Sequence, residues 1–162
     1  MNRITNLFVA VATLASAGAA PVAAQDALEI PPEVMEMITG DISTIHMDVM
    51  QASIVLQPGQ AGSFWTIYEE YLAGVRELTE QRTELVRDFA VSFQGMTDGD
   101  AADLGRRALE IEQRRTQLLS EYFGRISDAL GGRAAAQFLQ IENRIGTLKD
   151  LRLMMELPII GE

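Results

Sequence analysis

The sequence predicts an all-α protein: an elongated antiparallel helical hairpin with flanking helices, about four helices in all. Three observations carry that expectation. Apolar residues recur at steps of three and four along four separate stretches, which places them on one face of a helix. The stretches are joined by short links, and short links between long helices make antiparallel neighbours. No stretch alternates apolar and polar residues with the period of two that a half-buried strand requires.

After a leader over 25–31, the first stripe runs Met35, Ile38, Ile42, Ile45, Val49 and Ala52. Pro32 suits a first helical position. Gly40 weakens the middle by about 1 kcal/mol relative to alanine. The second helix is expected to begin near Pro58, whose missing N–H costs nothing in a first turn. Its seam is Phe64, Tyr68, Tyr71, Val75, Leu78, Arg82, Leu85 and Phe89, widened by Ala61, Trp65, Leu72, Val86 and Phe93. That helix is on the order of 50 Å long at about 1.5 Å per residue, with Gly95 as its stop.

Thr97 followed by Asp100 has capping-box spacing and opens the third helix. Its seam runs Ala101, Leu104, Ala108, Ile111, Arg115, Leu118, Tyr122, Ile126 and Ala129, broken by Gly131-Gly132. The fourth carries Ala134, Phe138, Ile141, Ile145, Leu148, Arg152 and Met155, and ends before Pro158. One helical domain over 32–157 and a tail over 158–162 result. Arg82 and Arg115 interrupt the seams. Each must reach a carboxylate, let its head snorkel out, or sit where the hairpin opens to solvent or a second subunit.

The N-terminus joins Arg3, an apolar run from Ile4 to about Ala17, and small residues at Val22-Ala23-Ala24. That is the pattern of a secretory signal peptide over 1–24, cleaved near Ala24. The run is shorter than the ~20 apolar residues that span a bilayer. Cleavage removes one of 13 basic residues and none of 23 acidic ones, so the mature charge is 12 minus 23, or −11. Such a surface repels nucleic acid and anionic lipid, so neither is an expected partner. There are no cysteines, and the core alone must hold the fold. The expected compartment is the periplasm.

One frame occurs twice. "LQPGQAGSFWTI" from Leu56 and "LGGRAAAQFLQI" from Leu130 share Leu, Ala, Phe, an apolar residue and Ile at matching positions, each at the start of a helix. With Leu56 and Gln60 in the first copy and Leu130 in the second, this resembles the Spy/CpxP superfamily of exported helical proteins, whose LTxxQ motif marks two such helix entries. Here Gln57 stands where the motif has Thr, and the second copy keeps only its Leu. "FWTIYEEY" and "FLQIENRI" also look like segments of exported proteins related to that superfamily. The resemblance implies a bent hairpin that dimerises into a cradle. It further implies one of three roles: an ATP-independent chaperone, an envelope-stress regulator that binds a sensor kinase, or a metal-responsive sensor.

Among function classes, catalysis has the thinnest inventory. With no Cys, one His and one Lys, nothing assembles a nucleophile with a base, so neither an enzyme nor a cofactor is expected. Metal sensing rests on "IHMDVM", where His46 and Met50 lie one turn apart and their imidazole and thioether suit a soft ion. Client binding requires an exposed apolar surface rimmed by charge. Its candidates are Phe64, Trp65, Tyr68, Tyr71, Phe89, Phe93, Tyr122, Phe123 and Phe138, although a stripe of aromatics at helical spacing is usually core. The expected partners are unfolded or envelope proteins, or a sensor's periplasmic domain, with a homodimer as the assembly. The expected function is accordingly a chaperone-like or envelope-stress binding protein, with a metal-responsive regulator as the alternative.

Overall fold

A computed structural model describes Pro32 and residues 42–160. The expected signal peptide over 1–24, the expected leader over 25–31, and Met35 and Ile38 of the expected first stripe lie outside the described residues. Four helices follow in order: α1 (Ile42–Ser53), α2 (Ala61–Ser92), α3 (Asp98–Leu130) and α4 (Gly132–Glu156), with a 3-10 turn over Phe93–Gly95. The fold is all-α, with no strand among the described residues. α2 and α3 form the long antiparallel hairpin, α4 folds back along α3, and α1 lies against both α2 and α4. α2 and α4 thus take opposite corners of the bundle, and large side chains bridge them.

The joints follow from local chemistry. Thr97 Oγ1 accepts the Asp100 backbone N–H at 3.2 Å, and Asp100 Oδ2 accepts the Thr97 N–H at 3.0 Å, so the expected capping box starts α3. Gly131, with φ +92°, makes the sharp break between α3 and α4 that a side chain would resist.

The entry to α2 differs from expectation. Pro58 and Gly59 form a turn with Gly59 at φ +83°, which interrupts helical geometry, so the helix starts at Ala61. Gln60 secures that turn with its side chain. Its Oε1 accepts the Gln57 N–H at 2.9 Å, and its Nε2 donates to the Leu130 carbonyl at 2.8 Å. The glutamine of the first repeat is thereby tied to the leucine of the second, and Leu56 and Leu130 both pack against the core.

Two stripes are corrected. In α1 the buried residues are His46 and Met50, whereas Ile45, Val49 and Ala52 of the expected stripe are exposed. In α4 the expected seam holds through Ile145, but Leu148 and Met155 turn outward and Leu153 is buried instead. A strict seven-residue repeat drifts about 20° per heptad around a straight 3.6-residue helix, which carries the late seam positions off the core. The core itself centres on Phe64, Tyr68, Tyr71, Tyr122, Ile126 and Phe138, at the end where all four helices meet.

Candidate functional site

The most unusual chemistry lies inside this core. Glu142 of α4 is 2% exposed. Its Oε1 accepts the Tyr68 hydroxyl at 2.7 Å, and its Oε2 accepts that of Tyr71 at 2.9 Å. His46 Nδ1 lies 3.0 Å from Oε2 and 3.3 Å from Oε1. Three helices therefore converge on one carboxylate, which an isolated buried charge would require. Burial first, and then the charge of Glu142, push both phenols far above their ordinary values, so they remain protonated donors. With Nδ1 donating to Glu142, the other ring nitrogen, Nε2, is buried without a hydrogen-bond partner.

Aromatic rings wall the cluster. Phe138 stands edge-on to Tyr71 with centroids 5.1 Å apart, and Tyr122 meets Tyr71 at 5.5 Å. Tyr68 and Glu142 are 74 positions apart, the same spacing that separates Leu56 from Leu130. The repeat places a tyrosine in one copy and an acid in the other at equivalent positions, and the fold joins them. Charge patterning alone does not disclose Glu142. Its signal is an acid falling on the core face, in step with Phe138 and Ile145.

The nine candidate client-binding aromatics separate into two groups. Phe64, Tyr68, Tyr71, Tyr122 and Phe138 are buried, which corrects their assignment as a client surface: they are the packing of the core. Trp65, Phe89, Phe93 and Phe123 are half-buried. The large exposed apolar side chains lie elsewhere. Ile45 and Val49 are on α1, Val91 on α2, Leu109 on α3, and Leu148, Leu151, Met154 and Met155 on the α4 that neighbours α1, with Val55, Ile159 and Ile160 outside the helices.

His46 and Met50 do share a face, as their spacing requires, but that face is the core. Met50 is packed among apolar side chains and His46 is engaged by Glu142. Among the described residues no three His, Cys, Asp or Glu side chains gather as a metal ligand set. The seam arginines find carboxylates within the chain. Arg82 reaches Asp150 at 2.8 Å and Glu112 at 3.4 Å, and Arg115 lies 3.7 Å from Glu112.

Beside the Glu142 cluster, between α2, α3 and α4, is a cavity of about 70 Å³. His46, Tyr71 and Glu142 form one end, Arg82, Lys149 and Asp150 the other, and Arg115 lines the wall between them. Arg115 packs on the backbone of Gly146, where a Cβ would meet its guanidinium.

No family model matches the chain, and no solved structure matches it. Among curated proteins it is similar to a 3-dehydroquinate synthase of Jannaschia sp. (strain CCS1), with 24% identity over 172 aligned positions. The alignment covers 98% of this chain and 44% of that protein, so the chain spans less than half the length of its curated relative. That name is an enzyme's, and the similarity lends no support to a non-catalytic reading.

Proposed function

We propose that this chain is a non-catalytic helical protein that binds apolar polypeptide segments without ATP, acting in the periplasm as a chaperone-like or envelope-stress binding protein. The observation that supports it is the apolar surface on α1 and α4. Leu148 is 69% exposed and Met155 76% exposed, on a chain whose formal charge is −10. Apolar side chains set in a repelling acidic body bind unfolded segments and keep the holder soluble. Methionine adds adaptable contacts. The Glu142 cluster fits a structural role, because both carboxylate oxygens are already engaged by side chains of α1 and α2. Among the described residues no helix is long and apolar enough to cross a membrane.

The test is aggregation of an unfolding client, followed by light scattering at near-stoichiometric ratio without ATP. Suppression is expected, and it should weaken in the double variant Leu148→Glu, Leu151→Glu. No suppression across several unrelated clients would overturn the reading. The proposal extends to a homodimer, for which light scattering should give twice the chain mass. A monomer mass at high concentration would remove that part.

A further inference from the structure

The cavity beside Glu142 has a charge balance that the rest of the chain does not explain. On its walls, Glu142 is occupied by two phenols and His46, and Asp150 is held by Arg82 at 2.8 Å. The cations are less well matched. Lys149 makes no ion pair among the described residues, and Arg115 reaches only Glu112, at 3.7 Å. Burial, followed by the neighbouring Arg82 charge, lowers the Lys149 ammonium below its ordinary value. Lys149 is thus left without an ion pair on the cavity wall, beside an Arg115 whose one carboxylate contact is a long one.

The rest of the lining narrows the ligand. Val75, Leu78, Ile111 and Leu118 give an aliphatic wall. His46, 5% exposed, also lines the cavity, and its Nε2 has no partner. A volume of about 70 Å³ exceeds the ~10–15 Å³ that one water requires, and admits a molecule of a few heavy atoms.

We propose that this cavity binds a short-chain carboxylate, with its charged end on Lys149 and Arg115 and its chain against Val75, Leu78 and Ile111. A planar carboxylate matches a guanidinium fork, and an aliphatic wall favours it over a fully hydrated oxyanion such as phosphate. This site goes beyond the client-binding reading and does not rest on it, because none of Ile45, Val49, Leu148, Leu151, Met154 and Met155 lines it.

The test is a titration of the protein with propionate, with inorganic phosphate as the parallel arm at matched ionic strength, read by amide chemical shifts. Saturable shifts centred on Gly146 and Lys149 are expected with propionate, and binding about tenfold weaker in Lys149→Met. Val75→Phe, which fills the cavity, should also block binding, so one folded variant of the two suffices. The proposal is overturned if propionate gives no saturable shift up to about 50 mM, if phosphate binds as tightly, or if a folded variant binds as the parent does.

Discussion

The end of the molecule where four helices meet and the far end of the α2–α3 hairpin are built from the same two long helices, yet different forces hold them. At the four-helix end, Phe64, Tyr68 and Phe138 are fully buried, and three donors from two helices close on the carboxylate of a third. At the far end the buried side chains thin out to Thr83, Val86, Ala90 and Leu104, and the remaining ties are local or exposed: the Thr97 cap, the Phe89–Phe93 ring contact, and an Arg107–Asp88 ion pair. Burial grows with the number of elements that surround a residue. Two helices cannot enclose what four can, so the hairpin tip depends on contacts that water competes for.

The largest expected effect is at the enclosed end. Glu142→Ala would leave the Tyr71 phenol and the His46 imidazole buried without their acceptor, and the Tyr68 hydroxyl with only the His46 carbonyl at 3.1 Å, at a cost of about 3–5 kcal/mol, and a melting curve would show it as the steepest loss among single changes. If Glu142→Ala melts like the parent, the carboxylate is not the keystone of that end.

Next comes a pair of glycines. Gly146→Ala places a Cβ against the Arg115 guanidinium, the far end of a flexible side chain that must swing away, so the helix-propensity gain of the substitution should be largely cancelled there. Gly105→Ala, in the hairpin half of α3 with open space around it, should instead gain about 0.5–1 kcal/mol. A clearly smaller gain at Gly146 than at Gly105 in denaturant unfolding would sharpen the contrast, and equal gains would break it.

At the tip, Thr97→Ala removes one half of the capping box at about 1 kcal/mol. Hydrogen exchange should quicken around Asp98–Asp100 and stay unchanged around Tyr68. The cap also carries a pH dependence. Bonds from the Thr97 side chain, and then from its backbone, hold the Asp100 carboxyl below the usual aspartate value. Its contribution is therefore present above that value and disappears as pH falls through the lowered one. Asp100→Asn should remove that acid dependence of tip exchange. Smallest of all, Arg107→Ala should cost less than about 1 kcal/mol and lose even that in high salt, because the pair with Asp88 is largely exposed.

Much of the hairpin was legible because its causes are local. The capping box needs only Thr97 and Asp100 three residues apart, and the break at Gly131 needs only a residue that tolerates positive φ. The α2 seam through Phe64, Tyr68, Tyr71, Val75 and Val86 was legible for the same reason, since a helix puts those spacings on one face wherever it lies. The candidate aromatics were found as a stripe, but spacing does not distinguish a stripe that faces another helix from one that faces a client. The α2 entry was misplaced because Pro58 favours a helix start and a turn alike, and the decision fell to Gly59 and to the bond from Gln60 to Leu130, 70 positions away.

By itself, then, the sequence determined helix number and the joints that depend on neighbours within one turn. Tertiary structure alone decided that Ile45 and Val49 face outward while His46 and Met50 face inward, because the positions of α2 and α4 select which side of α1 is enclosed. It alone placed Glu142 between Tyr68, Tyr71 and His46, since a buried carboxylate becomes tolerable only when donors distant in the chain arrive at it together. The physical reason is the same in both cases: periodicity fixes directions within a helix, whereas burial and hydrogen-bond partners are properties of what surrounds it.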